Sequence, residues 1–89
     1  MPQKLEQLFG RILRRRREKA GFTQEDLGHK AGLSRNYVGM LERGERTPTL
    51  TALRQLARAL GTTMSSLIQE LEGALAAPSD SRKTRSSPR

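Results

Sequence analysis

Apolar residues recur along this chain every three or four positions, and Gly, Ser, Thr and Pro fall between the apolar runs. Because an α-helix turns once in about 3.6 residues, this spacing puts the apolar side chains of each run on one helical face. No segment shows the strict alternation of apolar and polar residues that is typical of a half-buried strand. The pattern predicts five helices with short connections and an all-α fold.

The first helix is predicted over residues 4–19, and Gly21 is suited to the left-handed conformation that commonly follows a helix end. Its apolar stripe consists of Leu5, Leu8, Phe9 and Ile12. Thr23 and Asp26 then have the spacing of a capping box, in which a hydroxyl and a carboxylate bind the free N–H groups at a helix start. The second helix therefore begins there, and Gly32 predicts a sharp turn after it.

A third, short helix is predicted over residues 35–43, with Ser34 as its N-cap. Thr49 and Thr63 are suited to cap two further helices, of which the last spans about 63–76. The apolar stripe of the fourth helix consists of Leu50, Leu53, Leu56, Ala57 and Leu60. All five predicted helices are amphipathic, which indicates a single helical core.

The composition places these helices in one small domain. The chain has 89 residues, of which 17 are Lys or Arg and 9 are Asp or Glu, and 34% of it is hydrophobic. A lean helical core is expected over residues 1–77. Residues 78–89 carry four basic residues, one acid and no hydrophobic side chain, so they are predicted to form a disordered basic tail.

Several classes of site lack the residues they need. The chain has no cysteine and a single histidine, His29, which is expected on the solvated side of the second helix. Catalytic triads, thiolate chemistry and metal sites therefore have too few parts, and we expect no enzyme activity, no metal and no cofactor. Neither an apolar run of about 18 residues nor an export signal is present, so we expect a cytoplasmic, nucleoid-associated protein without a membrane partner.

Residues 23–43 combine two short predicted helices with a tight turn, the arrangement that places a helix in the DNA major groove. Apolar or small residues fall where two crossing helices touch, at positions 4, 5, 8, 9, 10, 15 and 18 counted from Gln24. These residues are Leu27, Gly28, Ala31, Gly32, Leu33, Val38 and Leu41. The formal charge of +8 also favours a polyanionic partner.

Residues 5–75 resemble the lambda-repressor-like, Cro/repressor type (XRE) helix-turn-helix family. The matching motifs are Thr23-Gln24-Glu25-Asp26-Leu27, Gly32-Leu33-Ser34, Leu41-Glu42-Arg43-Gly44, Pro48-Thr49-Leu50 and Leu56-Ala57-Arg58-Ala59-Leu60-Gly61. The chain is also similar to the controller proteins of restriction-modification systems. The resemblance implies a compact five-helix domain, with the helix-turn-helix at about 23–43, that binds the major groove of double-stranded DNA.

The resemblance also implies which side chains meet DNA. Arg35 is placed for a bidentate contact with guanine O6 and N7, and Asn36 for a contact with adenine or a phosphate. Gln24 contacts a phosphate and braces the recognition helix, Met40 meets a thymine methyl group or nothing, and Tyr37 either touches DNA or packs against the second helix. The full implied set is Gln24, Ser34, Arg35, Asn36, Tyr37, Met40, Arg43, Arg46 and Thr47. The last three lie along the sugar-phosphate backbone in the family, where Arg46 can also reach a base.

Arg17 and Glu42 resemble the family's internal ion pair between the first and third helices, which makes Arg17 structural. Arg17 also ends a run of four arginines at residues 14–17. Successive side chains on a helix point about 100° apart, so this run predicts a solvated face with one inward member rather than a single nucleic-acid patch. Auxiliary phosphate contacts are the alternative.

The fifth helix carries more apolar residues than closing a small core requires, so an uncovered stripe predicts an interface. The predicted homodimer interface consists of Met64, Leu67, Ile68, Leu71 and Leu75. The family resemblance also implies pairing through this helix. Two-fold pairing would set two recognition helices about 34 Å apart, which fits a palindromic site.

These features predict a sequence-specific, DNA-binding transcriptional regulator that binds a palindromic operator as a homodimer and regulates its own expression. The alternative is an antitoxin-type DNA-binding protein that neutralises a partner protein. RNA binding is disfavoured, because only Phe9, Phe22 and Tyr37 are aromatic and they are not arrayed for stacking on bases. The tail is either an arm on DNA or a solubilising end.

Overall fold

The computed structural model describes residues 4–76, in which five helices and no strand occur. These helices are α1 (Leu5–Lys19), α2 (Gln24–Ala31), α3 (Arg35–Glu42), α4 (Leu50–Ala59) and α5 (Met64–Ala76). The prediction of an all-α, five-helix fold is confirmed. The predicted basic tail at 78–89 lies outside the described residues. No helix within the described range has the length and apolar character needed to cross a bilayer.

Side-chain caps fix where the helices begin. At α2 the Asp26 amide donates to Thr23 Oγ1 at 3.0 Å, and the Thr23 amide donates to Asp26 Oδ2 at 3.0 Å, which completes the predicted capping box. Ser34 Oγ caps α3 in a similar way by accepting a hydrogen bond from the Tyr37 amide at 3.0 Å. Because these bonds satisfy N–H groups that have no partner inside the helix, the polar residues between the apolar runs set the helix boundaries.

The hydrophobic core lies between the inward faces of all five helices. α1 packs against α3 and α5, and α2 packs against α3 and α4. The buried side chains of the core are Leu8, Phe9, Ile12, Leu13, Leu27, Ala31, Val38, Leu41, Leu53, Leu56, Ala57, Leu67 and Leu71. α3 is therefore supported by both α1 and α2, which fixes its orientation and leaves its opposite face to the outside.

Two leucines that were predicted in apolar stripes lie outside this core. Leu5 is 47% exposed and Leu50 is 77% exposed. Each occupies the first position of its helix, at the periphery of the fold. The next members of the two stripes, Leu8 and Leu53, are the first that reach the core.

α5 uses part of its apolar stripe within the chain itself. Leu67 is fully buried and Leu71 is 8% exposed, which corrects the prediction that both lie on an uncovered interface stripe. Residues 67 and 68 point about 100° apart on the helix, so Leu67 can face the core while Ile68 faces outward. Ile68 and Leu75 remain exposed, and Met64 is half-buried.

Glu70 connects α5 to the arginine run of α1. Arg16 Nε donates to Glu70 Oε1 and Arg15 Nη2 donates to Glu70 Oε2, both at 2.8 Å. Arg14 pairs with an acid one turn further along α1 at 3.1 Å. Arg17 is the one buried member of the run. The sequence predicted an inward member but gave no sign of the contacts with Glu70.

Candidate nucleic-acid interface

α2 and α3 approach each other closely at the turn between them. The Leu33 amide donates to the Gly28 carbonyl oxygen at 2.8 Å, and a Cβ atom on Gly28 would lie 2.6 Å from the Leu33 carbonyl oxygen. Gly32 has a φ of 72°, a left-handed conformation that glycine adopts without steric cost. The geometry of the turn therefore explains why positions 28 and 32 carry glycine. The turn also sets the direction in which α3 leaves α2.

The outer face of α3 begins with two polar side chains, Arg35 and Asn36. Both are exposed, and neither forms a side-chain hydrogen bond or ion pair with another residue in the described part of the chain. Ser34, the exposed N-cap, fixes the register in which they leave the turn. A free guanidinium and a free amide at the start of an exposed helix are able to donate to base edges or phosphates.

Tyr37 and Met40 are half-buried on the same helix. Tyr37 packs against the hydrophobic core, so part of its ring is used within the chain. Met40 lies one turn after Asn36, on the face that also carries that amide. Its thioether side chain offers an apolar contact to whatever faces α3.

A hydrogen-bonded network behind α3 joins three helices. Arg17 Nε and Nη2 donate to Glu42 Oε2 and Oε1 at 2.6 and 3.1 Å, and Gln24 Nε2 donates to Glu42 Oε1 at 3.0 Å. Arg17 Nη1 donates to the Phe22 carbonyl oxygen at 2.8 Å. The side chains of Glu42 and Arg17 are only 3% and 11% exposed. The hydrogen bond to Glu42 raises the pKa of Arg17, so the guanidinium stays charged throughout the neutral range.

This network gives two predicted residues a definite geometry. Arg17 faces the interior and pairs with Glu42 of α3, as the family resemblance implies, so its charge is neutralised within the fold. Gln24, the first residue of α2, is tied to Glu42 at the last position of α3. One N–H of the Gln24 amide remains available, because an amide nitrogen has two hydrogens.

The end of α3 carries a second ion pair, which is exposed. Arg43 Nε donates to Glu45 Oε2 at 2.9 Å, and Arg43 Nη2 donates to Glu45 Oε1 at 3.2 Å. These hydrogen bonds raise the pKa of Arg43 and lower the pKa of Glu45, because each bond favours the charged form of its partner. Glu45 was missed in the sequence, although an acid two residues after a predicted DNA-binding arginine is a visible signal.

Part of the predicted set lies together in a shallow depression, whose lining consists of Gln24, Arg35, Asn36, Gly39 and Arg43. Arg46 and Thr47 are exposed on the loop after α3, and their side chains have no partner among the described residues. His29 is exposed on α2, as predicted. Within residues 4–76, no group of three His, Cys, Asp or Glu side chains is placed to hold a metal ion.

A family model described as helix-turn-helix matches residues 13–67 of this chain. Over 64 residues the chain is 39% identical to an uncharacterised helix-turn-helix-type transcriptional regulator, y4dJ, from Sinorhizobium fredii. That match covers 72% of this chain and 83% of the relative.

Solved structures extend the comparison to three dimensions. The restriction-modification controller protein C.AhdI from Aeromonas hydrophila is 40% identical, with a TM-score of 0.68 over 70% of this chain and 94% of that chain. The clp gene regulator ClgR from Corynebacterium glutamicum is 28% identical, with a TM-score of 0.78 over 85% of this chain and 81% of that chain. The predicted resemblance to the helix-turn-helix family and to controller proteins is confirmed.

Proposed function

Because this chain belongs to the helix-turn-helix family of DNA-binding transcriptional regulators, we propose that it recognises a palindromic operator as a homodimer and controls its own expression. The observation that carries the proposal is the pair of free donors, Arg35 and Asn36, on a helix that is held from behind by the Glu42 network. Base reading needs donors that are held in place but not already bonded within the protein.

The two donors match base edges in the major groove. The guanidinium of Arg35 presents parallel N–H groups to guanine O6 and N7, and the amide of Asn36 fits adenine N6 and N7. A bidentate contact of this kind contributes on the order of 1–3 kcal/mol of discrimination between bases. Met40, on the face of Asn36, is placed to meet a thymine methyl group.

Phosphate contacts would hold the protein in register on the duplex. The remaining N–H of Gln24 lies at the start of α2, where the helix dipole favours an anion. Arg46 and Thr47 supply further donors from the exposed loop after α3. Such contacts carry little sequence information, but they set the affinity and its dependence on salt.

The outer side of α5 supports pairing of two copies. Ile68 and Leu75 are seven residues apart on one helical face, and both are exposed, with half-buried Met64 one turn before Ile68. Burial of exposed apolar residues of this kind stabilises symmetric dimers. A two-fold pair of α3 helices then meets two half-sites about one helical turn apart.

Coupling of these two steps suits control of its own expression, because it makes occupancy respond to the level of the protein. When only the dimer binds the operator, occupancy depends steeply on the concentration of the protein. The similarity to a restriction-modification controller protein supports a role in gene control of this type.

Substitution of Arg35 tests base reading directly. Arg35→Ala should lower affinity for a duplex enriched from a random library by about 5- to 150-fold per half-site and relax the preference at one base pair of each half-site. Arg54→Ala is the matched control, because Arg54 is an exposed arginine of α4 that also has no side-chain partner in the described range. Both variants lose one positive charge, and fluorescence anisotropy at fixed salt compares them. Equal losses would mean that α3 does not read bases.

A further inference from the structure

The Arg43 side chain lies back across α3 instead of extending away from it. A Cβ atom placed on Gly39 would lie 3.0 Å from Arg43 Nη1 and 3.5 Å from Gln24 Oε1. Gly39 belongs to the helical face of Arg35 and Arg43, yet it is buried, because the side chains of Arg43 and Gln24 cover it. Because Gly39 has no side chain, the Arg43 guanidinium can lie against the face of α3 that carries Arg35.

Glu45 occupies one edge of that guanidinium. Its carboxylate accepts from Nε and Nη2 of Arg43, so two of the five N–H donors are used. Arg43 makes no other side-chain hydrogen bond among the described residues. The opposite edge, formed by Nη1 and the second N–H of Nη2, keeps two parallel donors. That geometry matches guanine O6 and N7 as well as it matches a phosphate.

Arg43 lines the depression that Arg35 and Asn36 also line. Its Nη1 lies 3.0 Å from the position of a Cβ atom on Gly39, which belongs to the same lining. Arg43 is thus placed among the predicted base-reading side chains, although the family resemblance assigns it to the sugar-phosphate backbone.

We propose that Arg43 reads a guanine through its Nη1–Nη2 edge and that Glu45 is the positioning residue that aims this edge. The inference rests on the proposed function and adds a second specificity-determining arginine to Arg35. A carboxylate that fixes one edge of a guanidinium reduces the side-chain freedom that is lost on binding DNA.

Two effects of Glu45 on DNA binding have opposite sign. Its negative charge repels phosphates and lowers affinity for every duplex, whereas its contact with Arg43 favours only a duplex with guanine in the right place. Since both side chains are more than half exposed, at 54% and 53%, the pair contributes little to folding stability. The ratio of specific to non-specific affinity therefore isolates the positioning effect, because the general repulsion cancels.

The test uses a duplex enriched from a random library by the wild-type protein, in which each guanine is replaced in turn by 7-deazaguanine, which lacks the N7 acceptor. One replacement in each half-site, made singly, should weaken wild-type binding by about tenfold and leave binding by Arg43→Ala unaffected. This guanine should differ from the one that couples to Arg35→Ala. Binding is measured by anisotropy at constant salt.

Glu45→Gln should lower the ratio of specific to non-specific affinity by about threefold or more, while affinity for random duplex stays equal or rises. In the Arg43→Ala background the same substitution should leave the ratio unchanged. Glu18→Gln is the control on α1, where it removes the same charge and breaks an exposed pair with Arg14 and a longer contact with Arg17, at 4.0 Å. It should leave the ratio at the wild-type value. Thermal unfolding should be the same for Glu45→Gln and the wild type.

Three results would overturn the inference alone. Arg43→Ala could weaken all duplexes equally and reduce the salt dependence by about one phosphate contact per bound chain, which would make Arg43 a backbone-contacting residue. Glu45→Gln could leave the ratio unchanged, or it could lower the ratio equally with and without Arg43. Failure of the wild-type protein to enrich any duplex would contradict the proposed function itself, and the inference with it.

Discussion

Arg17 and Arg35 show how one residue type takes two roles according to burial. The Arg17 guanidinium is enclosed, and Glu42 and the Phe22 carbonyl oxygen take up its donors. The Arg35 guanidinium is exposed, and its N–H groups form no hydrogen bond with the described residues. A buried charge whose partner is lost has no water to replace it, so we expect Arg17 to matter to stability, whereas the donors of Arg35 are available for the proposed contact with DNA.

Glu42→Gln should destabilise the fold. The substitution keeps the shape of the side chain but leaves the Arg17 charge uncompensated in a shielded site, at a cost of about 3 kcal/mol. For a domain of this size, the melting temperature should fall by roughly 10–20 °C. Circular dichroism measures the transition, and Glu45→Gln, which breaks the exposed pair with Arg43, should change it by at most a few degrees. An unchanged melting temperature for Glu42→Gln would show that the network does not support α3.

The exposure of side chains on α3 could be predicted where the register of the helix alone decides it. Ser34 fixes the start of α3, and Arg35 and Asn36 follow from that start, so their outward direction was readable from the sequence. The contact between Arg43 and Glu45 was not readable. It depends on a side chain that lies back over Gly39 while the chain turns beyond α3, and spacing along a helix does not describe such a contact.

At the scale of elements, the packing of α1 on α3 depends on Gly10. A Cβ atom at this position would lie 2.5 Å from the Glu42 carbonyl oxygen and 2.6 Å from the Leu41 carbonyl oxygen. These are backbone atoms at the end of α3, so they can move away only if the helix shifts. The close contact that Gly10 permits therefore helps to set the position of α3.

Gly10→Ala should lower the free energy of unfolding by about 1–3 kcal/mol, because it forces two packed helices apart. Gly73→Ala is the matched control on α5, where an added Cβ atom would meet no atom within 4 Å. It should be neutral or stabilise the fold by up to about 1 kcal/mol through the higher helix propensity of alanine. Chemical denaturation at equilibrium compares the two. Equal stability of both variants would contradict the close contact.

Helix existence and helix starts were predictable, because hydroxyl and carboxylate caps leave a local signature. The capping box of Thr23 and Asp26 was predicted and is present. Burial was less predictable. Leu50 and Leu67 both follow the apolar spacing, yet Leu50 is 77% exposed and Leu67 is fully buried. Which members of a stripe reach the core depends on how neighbouring helices cross, and that is a property of the assembled fold.

At the scale of the whole molecule, the net charge of +8 does not locate the candidate interface. The densest basic run of the described chain, residues 14–17, is paired with acids on α1, α3 and α5. Arginines with no side-chain partner lie instead on α3, on the loop after it and on α4, at Arg35, Arg46, Arg54 and Arg58. Of these, Arg35 and Arg46 lie on α3 or the loop after it, so position as well as pairing defines the candidate interface.

Charged substitutions on the outer side of α5 test the proposed homodimer. Ile68→Glu with Leu75→Glu replaces exposed apolar residues, so the monomer should keep its helical content while the dimer dissociates. Gln69→Glu, at an exposed polar position of the same helix, is the control and should leave the dimer intact. Analytical ultracentrifugation measures the mass of each variant. A dimer that survives the double substitution would place the interface elsewhere.

The most direct test of sequence-specific recognition is selection from a random duplex library with the wild-type protein. The enriched duplex is then titrated at two salt concentrations, and the mass of the complex is determined. Sequence reading by paired α3 helices predicts an inverted repeat with half-sites about one helical turn apart, bound by two chains, with preference retained at higher salt. Absence of enrichment, with binding that disappears at moderate salt, would show charge contacts alone and would contradict sequence-specific recognition.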